Sequence, residues 1–499
     1  MAEPTRSSVL ALKKETETGK LVEPAAEDFI PLREGFSFTF ATEALESDEL
    51  VNSIGRSKPQ IGRETPTASL PVYLKGSGTE GEPPEYGLLI ESGMGSENII
   101  STERSITAGT TKSVTLATGE GINYQKGTAL LIKDSVNGWS IRNVLTKSSD
   151  LLNLNFDLEN APAASVKLGK PIHYAPKTSG HPKFSAHLYQ SSEDSLYHQA
   201  MAGGQVTSMP FDFPANDFAS ATFEFGGLGA FYNPVTIVSG RTAVEFNDGA
   251  AITVNLDPGI YKTPQALARH VQLKMRASES SGTNCVVEFV ELEGKFRISG
   301  SSDTFTLDTD QASVDGGALG ILGFTEDQTT TGNTSYTAAN KFSFAPSVTP
   351  AYDSANKFVV KGAELFIGKA NEILCRPATV ANFTVSVPKT DVPSICEPSG
   401  FADSVINERE VVFTTTIVLA KYESSFFDRF VNNEDFQVMF NIGLKEGGNW
   451  KPGNCMNIFL PQANVTALPI EDSDGYQVMN LEATASASTG QEDCHINFL

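Results

Sequence analysis

Residues 378–433 read ATVANFTVSVPKTDVPSICEPSGFADSVINEREVVFTTTIVLAKYESSFFDRFVNN. ATVANFTVSVPK reads as a strand, as does the earlier stretch in which Phe36, Phe38 and Phe40 alternate with Ser37 and Thr39 at period two. A polar stretch of about twenty residues follows, which is long for a compact domain. EVVFTTTIVLAK is a second strand, and YESSFFDRFVNN (Tyr422–Asn433) is an amphipathic helix. FQVMFNIG, NCMNIFLP and GYQVMNLEATAS add three more strands.

The same order occurs earlier in the chain. FSFTFAT (36–42) leads through a polar loop to SLPVYLKG (69–76) and a short apolar helix, Tyr86–Met94. FSAHLYQ (184–190), VTSMPFDF (206–213) and SATFEFGG (220–227) complete the first copy. Both copies read strand, long loop, strand, helix and three strands. Long loops at the same place in each copy suit a protein that builds rings, because each loop reaches a neighbour and adjoining sheets cover exposed edges.

Other segments are grafted onto this pattern. Residues 1–28 read as a polar arm, and 104–175 as a small β-rich insertion within a first unit spanning 29–235. Residues 236–345 form an α+β module whose helix opens at Pro264, and 346–499 form the second unit. The expected fold is therefore mainly β: duplicated β-sandwich or barrel units, each with one short helix, plus inserted small β and α+β modules.

Composition limits the chemistry. The net charge of −23 opposes any function that neutralises phosphates with Lys and Arg. Cys285, Cys375, Cys396, Cys455 and Cys494 are odd in number and show no CxxC spacing, which fits a reduced compartment. The N-terminal stretch has no apolar core of signal-peptide length, and no apolar run approaches the eighteen residues of a span. Four of the six histidines (His173, His181, His187, His198; also His270 and His495) lie close together in sequence. Their spacing is not that of a helical metal site, so no metal, cofactor or catalytic residue is assigned. GGLGAF (226–231) follows a strand without opening a helix and reads as a turn.

FATEALESDELVNSIGRSKPQIGRETPTASLPVYL, YGLLIESGMG and TERSITAGTTKSVTL resemble the first half of tail tube proteins of long-tailed bacteriophages. ATVANFTVSVPKTDV, REVVFTTTIVLAKYESSFFDRFVNN, NIFLPQANVTAL and YQVMNLEATAS resemble the second half. The resemblance covers roughly 29–235 and 358–486, while the 236–345 module resembles accessory domains that decorate tail surfaces. It implies a virion structural protein, not an enzyme, assembled in the host cytoplasm. Homotrimer rings of pseudo-sixfold symmetry would stack into a tube that conducts viral DNA at ejection without binding it tightly. Tape measure, tail terminator and distal tail proteins are the further partners implied, and no membrane is involved. The competing reading is a tail-tip protein or adhesin whose 236–345 module binds a host-surface carbohydrate.

Residue expectations follow. Glu224 and Glu482 sit on strands between apolar neighbours, and Glu410 begins a strand, so these three are candidates to line the lumen. Glu49, Arg56, Lys58 and Arg63 in the loop 47–68, and Asp391, Glu397 and Asp403 in the loop 391–408, are candidates for contacts between subunits or rings.

Overall fold

The computed structural model describes residues 8–49, 58–191, 196–279, 284–300, 304–326, 333–369, 377–397, 399–419, 424–473, 475–487 and 492–499. Strands dominate, and the chain divides into two compact units. The larger comprises 11–185, 202–228 and 350–499; the smaller comprises 1–10, 186–201 and 229–349.

One sheet, in the larger unit except for the start of its third strand, holds both copies of the repeat. Its strands are β1 (Ser37–Thr39), β2 (Thr67–Tyr73), β3 (Leu196–Pro214), β4 (Ser220–Gly226), β5 (Ala378–Ser386), β6 (Glu410–Val418), β7 (Asn449–Ala467) and β8 (Tyr476–Ala485). The pairings run β1–β2–β4–β3–β5–β6–β8–β7, all antiparallel. Each copy thus contributes four strands in one order, and β3 joins β5 from Ser208↔Ser386 to Pro214↔Val380.

Alternation explains why the sheet has one dry face. Phe211, Phe213, Phe223, Phe225, Phe383 and Phe413 are buried on it. A second layer covers that face: Glu97–Ile99, Ile172–Tyr174, His495–Phe498, the first half of β7, Phe436–Glu446 and Glu364–Gly368, paired in that order. Phe213 meets Phe440 at 4.5 Å between ring centroids, and Tyr86 bridges Phe223 (5.9 Å) and Phe498 (6.1 Å). Each such phenylalanine contributes about 1.5–3 kcal/mol by leaving water. Helix α1 (Gly87–Met94) buries Leu89, Ile90 and Met94, and ends on Gly95 at φ 95, a left-handed value that a side chain would strain.

The insertion forms a seven-stranded sheet from Arg104 to Leu168 with its own apolar core. It docks through Leu131 and Ile141 against Trp450, Cys455 and Leu499. Asn143 and Asn457 exchange two amide hydrogen bonds (2.7 and 3.0 Å) within that junction. In the smaller unit, helix α2 (Pro264–Ser278) starts where Thr263 Oγ1 accepts the Ala266 N–H at 3.1 Å, and it packs Leu267, Val271 and Met275 into an apolar cluster. A short helix α3 (Gln311–Asp315), capped by Asp310, went unread in the sequence. The second copy's helix is α4 (Ser424–Asn432), the counterpart of α1.

Two expectations need correction. Ser8–Lys14 is a strand with Leu10, Ala11 and Leu12 buried, not a free arm. The two long loops are β-hairpins: Thr42–Leu45 pairs with Gln60–Glu64, and Lys389–Pro393 with Phe401–Ile406. The cause is the backbone itself, whose polar groups are satisfied by continuing the β1–β2 and β5–β6 ladders outward.

Candidate functional site: the polar face of the eight-stranded sheet

The other face of the same sheet is polar. One row of directly paired residues crosses it as Ser37, Ser69, Glu224, Ser208, Ser386 and Glu410. A second row runs Ser220, Asp212, Asn382, Thr414, Glu482 and Ala467. Asn382 and Ser386 lie four residues apart on β5, so the two rows share one face. Glu224, Glu410 and Glu482, chosen from sequence as separate candidates, are therefore brought onto one surface, and all three are exposed. Asp212 belongs with them and was missed. Its signal was present: Phe211-Asp212-Phe213 repeats the alternation of Phe223-Glu224-Phe225. Burial raises the Asp212 carboxyl above its ordinary pKa, and the nearby Arg33 guanidinium pulls it back down.

At the positions these two rows and their same-face neighbours occupy on β2, β4, β5, β6 and β8, Ser, Thr, Asn, Pro, Gly, Val, Tyr and acidic residues appear, and no Lys or Arg. The carboxylates of these rows repel phosphate oxygens, and the cations that reach the face, Lys389 at Gly226 and Arg33 with Lys357 over Tyr73, sit at its two ends.

Register reveals why Glu224 and Glu482 match. β3 bulges between Val206 and Ser208 opposite Phe225 and Glu224, and β7 bulges between Val465 and Ala467 opposite Ala483 and Glu482. The bulges align VTSMPFD (206–212) with VTALPIE (465–471), position for position. A shared bulge of this kind re-aims side chains identically in both copies.

The hairpin candidates divide. Both hairpins leave the sheet at one end, because β2 and β6 each begin directly after them and run in the same direction. Arg63 binds Glu43 at 2.6 Å and lies over the Phe401 ring at 5.3 Å, and Glu64 N–H donates to Ser399 O at 3.2 Å, so the first hairpin leans on the second. Asp391 pairs with Lys389 (2.7 Å) and Asp403 with Lys183 (3.6 Å), both within the chain. Glu49, Lys58 and Glu397 are exposed, and Arg56 lies outside the described residues.

A family model described as phage tail tube protein matches residues 5–301. The chain belongs to the phage tail tube protein family. It is a structural subunit of the phage tail tube, and hence a component of the virion tail. The matched residues include the first copy and end before the second copy's strands. No curated protein matches. Among solved structures, the tail of an empty GTA particle with C6 symmetry is similar at 13% identity, covering 25% of this chain and 92% of that one, with a TM-score of 0.19. A likeness so weak carries no argument.

Four of the six histidines of this tube protein are packed in two pairs. His173 lies between Thr128 Oγ1 (3.1 Å) and His495 (3.1 Å), and full burial lowers its pKa to about 3. In the smaller unit His187 meets His198 at 2.9 Å, with Tyr189 stacked on His198. Among the described residues no group of three or more His, Cys, Asp or Glu is arranged to hold a metal ion.

Proposed function

We propose that three chains close into one ring of the tube, with the polar face lining a bore through which DNA passes. The carrying observation is the β3–β5 junction, in which the first copy pairs edge to edge with the second. Among the described residues, the outer edges of β1 and of Asn464–Ala467 with Ile470–Ser473 have no strand beside them. Repeating the internal register places Ile470 of one chain opposite Phe38 of the next, as Phe211 is opposite Phe383. Exposure supports this: Phe211 is 0% exposed, whereas Ile470 is 55% exposed. An apolar side chain on a free edge is the mark of a missing strand partner.

Three such chains supply about twenty-four strands, which at ~4.8 Å spacing and ~40° tilt close into a barrel roughly 48 Å across its backbone. Side chains take about 10 Å of that, leaving room for a B-form duplex of about 20 Å. Glu224 and Glu482 would then alternate six times around one level. Other tail components would cap the tube's ends.

Ile470→Asp tests the closure. The chain should stay folded by circular dichroism yet remain monomeric in native mass spectrometry, where the unaltered protein gives rings of three. Rings of six chains, or rings unaffected by the substitution, would refute the proposal.

A further inference from the structure

Resting on that ring, the end of the sheet opposite the hairpins carries a second assembly surface. The β2 strand leaves the first hairpin at Thr67 and ends at Tyr73, about 20 Å away at ~3.3 Å per residue. There Arg33 Cζ lies 4.6 Å from the Tyr73 ring centroid and Lys357 Nζ 4.4 Å from it. Phe218 packs edge-on against Tyr73 at 5.4 Å, with Lys357 at 5.9 Å from its ring. Phe218 is 44% exposed and its bridge partner Val359 40% exposed.

Among the described residues neither Arg33 nor Lys357 has a carboxylate within ion-pair distance. The acids nearby are otherwise placed. Asp217 accepts the Phe218 N–H at 2.7 Å, Glu34 is exposed next to Arg33 in the chain, and Asp212 feels Arg33 from the polar face. Two unpaired cations on one aromatic ring, in a chain of net charge −23, form a site suited to an acidic, partly apolar partner.

The first hairpin has that chemistry at the other end of the same sheet. Asp48 and Glu49 are exposed on its outgoing arm, and Leu45 (53%) and Ile61 (78%) present apolar surface, with Lys58 on the returning arm. Rings stacked head to tail bring one ring's hairpin end to the next ring's Tyr73 end. We infer that the Arg33–Tyr73–Phe218–Lys357 cluster receives the Asp48–Glu49 arm of a second copy of this chain in the adjacent ring.

The test uses the full chain, assembled at low salt and viewed by negative stain and sedimentation. Arg33→Glu with Lys357→Glu should leave three-chain rings intact while raising the concentration needed for tube growth by about tenfold, the change about 1.4 kcal/mol produces. Adding Asp48→Lys and Glu49→Lys should restore tubes. The milder pair Arg33→Gln and Lys357→Gln should fold regardless and make tube growth less sensitive to salt than in the unaltered protein. Reversed rings that stack normally overturn the inference. So do tubes lost without rescue, or intact tubes whose only change is in DNA retention, which would assign the cluster to DNA. Absence of three-chain rings from the unaltered protein would instead refute the ring itself, a separate readout.

Discussion

Replacing Glu224 and Glu482 with Lys puts the polar face to its most direct test. Both side chains are exposed on the ladder, between Ser69 and Ser208 and between Thr414 and Ala467, so the substitution meets no packed neighbour. In a three-chain ring the six positions would change from carboxylates to ammonium groups at one level of the bore. A duplex about 20 Å wide in a bore of about 38 Å lies off-axis, so roughly three lysines could reach phosphates at once. Each phosphate contact contributes a slope of about −0.9 in log K against log salt, so three give about −2.7. Between 50 and 200 mM salt that is an affinity change of about fortyfold per ring level.

The assay is DNA ejection from particles carrying the variant tubes, followed in real time across that salt range. Tubes should form normally, ejection should slow at low salt, and the rate should recover as salt rises. Glu224→Gln with Glu482→Gln should show little of this, because a neutral amide holds no phosphate. Normal ejection at low salt through intact lysine-bearing tubes would show that the polar face does not line the channel, whatever the ring's stoichiometry.

Acid should weaken the larger unit through its buried histidine pair. His173 has a folded pKa of about 3 against about 6.5 unfolded, so the unfolded chain binds the extra proton and stability falls as pH drops from about 6.5 toward 3, by up to about 1.4 kcal/mol per pH unit. Chemical denaturation of His173→Gln should show a shallower pH slope over that window than the unaltered protein, and an identical slope would refute the assignment. Excising the module should keep 350–362, because Lys75 Nζ donates to Asp353 O at 2.7 Å and Lys75 bridges Lys357 in the larger unit. We expect a chain with 236–345 replaced by a short Gly/Ser linker to assemble into tubes in electron micrographs; insoluble or ring-less protein would make the module part of the tube body.

What the sequence disclosed and what it hid have a common cause. Strand alternation is a local signal, so β2, β4, β5, β6 and β8 were readable from Phe, Val and Thr spacing alone. The hairpins were not, because Thr42–Leu45 and Gln60–Glu64 carry few apolar residues and owe their pairing to ladders begun elsewhere. Pairing of β3 with β5 was equally invisible, since nothing local says that one copy's third strand will lie beside the other's first. Yet the bulged strands share Val, Thr and Pro at corresponding positions. Val206-Thr207 and Val465-Thr466 enter the bulge, Pro210 and Pro469 follow it, and Asp212 and Glu471 end the alignment. Core positions differ between the copies, Phe223 against Leu481 and Phe225 against Ala483, as a core tolerates if its volume is made up by neighbours. Between them both copies have a glutamate, Glu224 and Glu482. A solvent-facing carboxylate contributes nothing to that packing, so the identity the two copies share beside the bulge is not set by the core of the sheet, whose flanking residues differ.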